Sequence, residues 1–153
     1  IKYPISDLIE RGATMELFSE TIPGLPRITV LRVAGRVDGS NYLSVIEQAR
    51  LLLQDENGTL LLDLAGCDYL SSAGLFALHN IALMAHHIDP LDQDDGWSAM
   101  REMANERRDL KDRFKMISVP ANITHTLEIT GLLSLYAVYP DTRSALADCA
   151  PIK

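Results

Sequence analysis

Sulfur is scarce in this chain: its two cysteines, Cys67 and Cys149, lie far apart and outside any metal-ligand or redox spacing. That excludes a disulfide framework and a recognisable zinc motif, and a reducing compartment suits such a chain. Basic residues are outnumbered, 14 Lys and Arg against 21 Asp and Glu, for a formal net charge of −7, and no run of lysine or arginine occurs. Neutralising a phosphate backbone needs a basic patch, so nucleic acid is not an expected partner. Long apolar runs are missing as well. The most apolar helical stretch, Leu75 to Ala85, is interrupted by His79 and Asn80 and is too short to span a bilayer. No basic-then-apolar secretory start is visible, so the expectation is a soluble, cytoplasmic protein with no membrane partner. Nor is there a glycine-rich phosphate loop, a nucleophile elbow or a Cys–His pairing, and no cofactor is expected.

What is present suffices for one globular domain: 153 residues, 47% of them hydrophobic. Residues 1–14 read as an appendage, helical around Ser6 to Arg11 and ending at Gly12. The domain itself reads from Met15 to about residue 150. Met15 to Ser19 and Ile28 to Ala34 carry the β-branched, alternating pattern of strands with the turn signal Pro23-Gly-Leu-Pro26 between them, which predicts a hairpin. After Gly39, Ser40 is placed to cap a helix in which Tyr42, Leu43, Val45, Ile46, Ala49, Leu52 and Leu53 recur at helical spacing. Thr59 to Leu64 is an unbroken apolar run, as in a strand covered on both faces.

A turn from Ala65 to Leu70 then leads to a helix from Ser71-Ser72 to about His87, ended by Pro90. Phe114 to Val119 reads as a strand. Pro120 and Ala121 open a helix reaching Thr130, with Gly131 where a left-handed cap is wanted. Leu135 to Tyr139 is the last strand, and Asp141 can cap a short helix over Arg143 to Ala147. Strands alternating with helices after a hairpin predict an α/β domain with a mixed sheet. One segment breaks the rhythm: about 89–111 reads as a charged insertion, acidic and loop-like from Asp89 to Gly96, then helical and highly charged from Trp97.

The most informative stretch is Leu62-Asp-Leu-Ala-Gly-Cys-Asp-Tyr-Leu-Ser-Ser-Ala-Gly-Leu75, a buried strand, a turn, and small hydroxyl residues at a helix start. A helix N-terminus carries unpaired N–H groups and the positive dipole end, so a phosphate there meets donors. The same residue types also serve as plain N-caps, and Ser71 or Ser72 satisfies that reading equally.

This stretch resembles the signature of STAS domains of the anti-sigma factor antagonist type. Gly35-Arg-Val-Asp38 resembles the Gly-Glu-Leu-Asp element of that family, and Leu127-Glu-Ile-Thr-Gly-Leu132 is similar to its late helix-to-Gly-Leu turn. The resemblance implies a STAS-type mixed β-sheet with an initial β-hairpin and helices packed mainly on one face. In the family the switch serine follows an Asp and lies two residues before the Gly. Carried onto this chain, Ser72 is the phosphoacceptor, with Ser71 the alternative, while Ser71 stands where the family has Asp and Ala73 where it has Ser or Thr.

The implied cycle is partner switching. The unphosphorylated domain binds an anti-sigma factor with serine kinase activity and frees a sigma factor; phosphorylation ends binding and a serine phosphatase restores it. The domain itself is then no enzyme, the catalytic groups belonging to the partner. A phosphoserine adds a charge of about −1.5 to −2 at pH 7 to the contact surface.

The expected partner-binding residues are Asp38, Ser71, Ser72, Gly74 and Phe76. Asp38 reads equally as a turn or cap carboxylate before Ser40. Gly74 allows close backbone approach at the helix start, toward a partner or toward a neighbouring strand. Phe76 lies one turn beyond Ser72 and is either an exposed anchor or buried core. His79, His86 and His87 tempt a metal reading, but two helical turns separate the first two by roughly 10 Å, too far for one shared ion, and no metal is expected. In the insertion, Trp97, Met100, Met103 and Ala104 form an apolar stripe that suits a docking surface, packing on its own domain, or a homodimer contact. Two other readings stay open: a non-phosphorylated STAS scaffold or transport-associated subunit, and a small enzyme of flavodoxin-like architecture.

Overall fold

The computed structural model describes residues 2–4, 15–23, 27–54, 58–92 and 109–149. The helical readings over 6–11 and 97–113 fall largely on residues outside these ranges. Among the described residues, seven strands form one sheet in the order β1-β2-β3-β4-β6-β7, with β5 paired to β3. β1 (Lys2–Pro4) pairs antiparallel with β2 (Met15–Ile22), and β2 pairs antiparallel with β3 (Arg27–Val37), Ile22 opposite Ile28. This is the hairpin read from the sequence. β4 (Gly58–Asp63), β6 (Phe114–Ile117) and β7 (Ala137–Tyr139) then add in parallel, as the intervening helices require.

β4 is the run of leucines, and its burial on both sides follows from its place. Leu60 and Leu62 face the main core, whereas Leu61 faces a smaller cluster with Ile28, Val30, Ile117 and Ala145. The main core lies under α1 (Tyr42–Leu52), α2 (Ser72–Ala85) and α3 (Ala121–Ile129), which supply Val45, Ala49, Ile81, Leu83, Ile123 and Leu127. Among the described helices, only α4 (Thr142–Ala147) packs on the opposite face, through Ala145. The mixed sheet with helices mainly on one face is therefore what the chain forms.

Helix ends show which local signals operate. Asp141 accepts the Ser144 N–H at 2.8 Å and caps α4. Gly131 adopts φ +77°, with its own N–H bonded to the Glu128 carbonyl and that of Leu132 to Leu127, the pair of bonds that closes a helix on a left-handed residue. Elsewhere the expectations shift. Asn41, not Ser40, occupies the N-cap position of α1, because Ser40 gives both its N–H and its hydroxyl to Asp38 Oδ1. α2 ends at Ala85, just short of the expected His87, which has turned to φ +59° ahead of Pro90. Leu133–Leu135 is a short 3-10 turn, so the last strand starts at Ala137.

The segment expected to be only a turn contains β5 (Cys67–Leu70). Its reason is the length of β3. β3 pairs with β4 only as far as Arg32 opposite Asp63, and its remaining residues offer a free edge on which Cys67, Tyr69 and Leu70 pair with Gly35, Arg36 and Val37. Asp63 starts the turn, accepting the Ala65 N–H at 2.9 Å and the Arg32 Nε–H at 3.2 Å. Gly35, at φ +92°, gives its N–H to the Gly66 carbonyl at 2.8 Å, where the pairing register shifts.

Candidate functional site

The overhang of β3, the short β5 and the first turn of α2 meet in one place. Ser71 N–H bonds the Val37 carbonyl at 3.0 Å, tying the helix start to the end of β3. Gly74 lies so close that a Cβ would sit 2.9 Å from the Val37 oxygen and 3.2 Å from Leu70, so the glycine serves helix–strand packing. Within the first turn, Ser71 is the N-cap and its Oγ accepts the Gly74 N–H at 3.3 Å. Ser72, the first helical residue, is exposed. The two serines, interchangeable in sequence, thus have different positions: one hydroxyl engages the helix and the other faces outward.

From Leu75 to Leu83 every side chain of α2 is buried. Burying one such large apolar side chain contributes about 1.5–3 kcal/mol, against about 1 kcal/mol for an N-cap, so the core and not the cap holds the helix in place. Phe76 belongs to that core. It is 7% exposed, with its ring edge-on to Tyr42 at 6.1 Å, so the exposed-anchor reading gives way to packing. Asp38 lies where β3 hands over to α1. The Ser40 hydroxyl and N–H hold its carboxyl below the usual carboxylate range, helped by nearby Arg36. Its main-chain N–H goes to Asn41 Oδ1 at 3.0 Å and its carbonyl accepts the Tyr42 N–H, so it also serves the turn.

Two residues not singled out from the sequence complete the surface. Tyr69 on β5 is 44% exposed, and the Arg36 guanidinium of β3 stacks over its ring at 4.9 Å. Their positions are far apart in sequence, and only the β3–β5 register shows that they meet. Asn122, in the first turn of α3, donates to the Asp68 carbonyl at 2.9 Å and ties β5 to a second helix. Cys67 points inward from the same strand, and burial pushes its thiol pKa up, which disfavours the reactive thiolate. A hollow of about 340 Å³ lined by Arg50, Leu53, Met84 and Ile88 lies at the other end of α2.

Two of the histidines are used structurally. His79, 1% exposed, bonds the Tyr136 hydroxyl through Nδ1 at 2.6 Å. His86 bonds the Ala82 carbonyl through Nδ1 and accepts the Arg113 N–H at Nε2, which defines the neutral tautomer with the proton on Nδ1. Among the described residues, no group of three or more His, Cys, Asp or Glu is arranged to hold a metal, and no helix is long and apolar enough to cross a membrane.

Residues 20–88 match the family model of the STAS domain. That span, 69 of the 153 residues, is similar to a STAS domain. The matched span runs from β2 to just past α2 and includes Asp38, Ser71, Ser72, Gly74 and Phe76. Among solved structures, the chain is similar in fold to an anti-sigma factor antagonist from Mycobacterium paratuberculosis, at 18% identity and TM-score 0.56, over 84% of this chain and 92% of that one. A second similar structure is the anti-sigma factor antagonist SpoIIAA in its unphosphorylated form, at 8% identity and TM-score 0.47, over 85% and 94% of the two chains. No curated protein sequence matches the chain.

Proposed function

We propose that this STAS domain is an anti-sigma factor antagonist that binds an anti-sigma factor with serine kinase activity while unphosphorylated. Phosphorylation at Ser72 ends the binding and a serine phosphatase restores it. The observation that carries this reading is the exposed Ser72 at the first turn of α2, on a helix whose frame does not use it. A phosphate there adds a charge of about −1.5 to −2 and meets the positive end of α2, so the surface changes without refolding. The similarity in fold to an anti-sigma factor antagonist supports the choice of partner. On this reading the domain acts in the cytoplasm and needs no cofactor of its own. Residues 15–150 act as one unit, with 1–14 appended and about 89–111 inserted.

The test is phosphopeptide mass spectrometry on the protein recovered from its own cells with and without stress. Phosphate on Ser72 that varies with condition is the expected result. A well-covered peptide that stays unmodified in every condition, while a phosphorylated relative is detected in the same cells, sinks it. Ser71 in place of the family's Asp favours a second reading, a constitutive scaffold or transport-associated subunit. Partner binding indifferent to Ser72→Asp selects that one.

A further inference from the structure

The switch reading leaves Arg36 and Tyr69 without a role. Val37 and Leu70 turn into the core, 2% and 7% exposed, so strand alternation turns their neighbours Arg36 and Tyr69 outward. Among the described residues, Tyr69 is the one aromatic side chain among the exposed large hydrophobics. Arg36 covers one face of its ring. The guanidinium carbon lies 4.9 Å from the ring centroid, and a guanidinium carries an N–H fork that matches a carboxylate bidentately. Asp38, two residues along the chain, already accepts the N–H and hydroxyl of Ser40.

We propose that the Arg36–Tyr69 pair is the recognition anchor for the protein partner that Ser72 controls, and that this partner presents a carboxylate to Arg36. The proposal rests on the partner-switching reading and adds its chemistry. Arg and Tyr are the residue types that dominate binding hot spots, and a stacked pair held on two paired strands loses little side-chain freedom when bound. The pair leads along β5 directly into the switch helix. A phosphate on Ser72 then supplies an anion from within the chain that competes with the partner's carboxylate for Arg36.

The experiment titrates the full chain calorimetrically with each purified serine-kinase anti-sigma factor encoded in its source genome. The one that binds is then used against Arg36→Glu, Tyr69→Ala, Arg36→Lys and Ser72→Asp. Arg36→Glu and Tyr69→Ala should each weaken binding by about thirtyfold or more, as loss of an anchor does, with unchanged thermal melting. Arg36→Lys, which keeps charge but not the fork, should fall between, and reversing one Asp or Glu of the partner to Arg should restore affinity to Arg36→Glu. If Arg36→Glu and Tyr69→Ala both bind within about threefold of the wild type while Ser72→Asp does not bind, the anchor is overturned and the switch stands. If no such kinase binds the wild type, the switch falls and the anchor with it.

Discussion

At its start α2 is held by main chain, Ser71 N–H to the Val37 carbonyl and Gly74 packed against β3, whereas at its end side chains do the holding. There His86 reaches Arg113, and Asn80 grips Leu91 by both its N–H and its carbonyl. The difference is instructive. A main-chain frame leaves the hydroxyl of Ser72 with no part in stability, so its charge can change while the helix stays put. The far end uses Asn80 and His86 to hold the flanking chain.

The comparison is tested first where the effect is largest. Leu83→Ala, in the buried last turns, should cost about 2–5 kcal/mol in urea unfolding; a cost below 1 kcal/mol would mean that this end is not anchored by the core. Gly74→Val, whose Cβ meets backbone, should cost about 1–3 kcal/mol in the same assay, and a neutral result would break the account of the helix start. The serines should then part: Ser71→Ala loses about 1 kcal/mol with its cap, while Ser72→Ala stays within about 0.5 kcal/mol of wild type. Equal losses would erase the distinction on which the switch depends.

The smallest effect concerns Asp38. Its folded carboxyl titrates below the ordinary 3.8, so its contribution is present above that value and fades as pH falls through the folded midpoint. Carboxyl NMR should show a midpoint under 3.8 in the wild type that moves up in Ser40→Ala. A midpoint unchanged by that substitution would remove Ser40 as the cause.

Much of this architecture is legible where the cause is local. The leucine run of β4 needs cover on both faces, Asp141 carries its own acceptor to α4, and Gly131 takes the conformation that closes α3. The start of α2 is legible too, but which hydroxyl faces outward is not, since both serines can cap. β5 escapes because its four residues are too short a run beside the turn to show a strand pattern, and only the excess length of β3 makes them a strand. Ser40 escapes as a cap because Asp38 competes for it, and Phe76 escapes because Tyr42, from another helix, covers it. Arg36 and Tyr69 meet only through a register that no short window contains.

Asn80, His86 and the Leu110 N–H bond to the Leu135 carbonyl have a consequence beyond stability. They moor the chain just before and just after the stretch between Leu91 and Leu110, using groups that belong to the domain and not to that stretch. Such a mooring works as a socket. It fixes where the chain leaves the domain at Leu91 and where it rejoins at Leu110, at the end of α2 away from the serine surface.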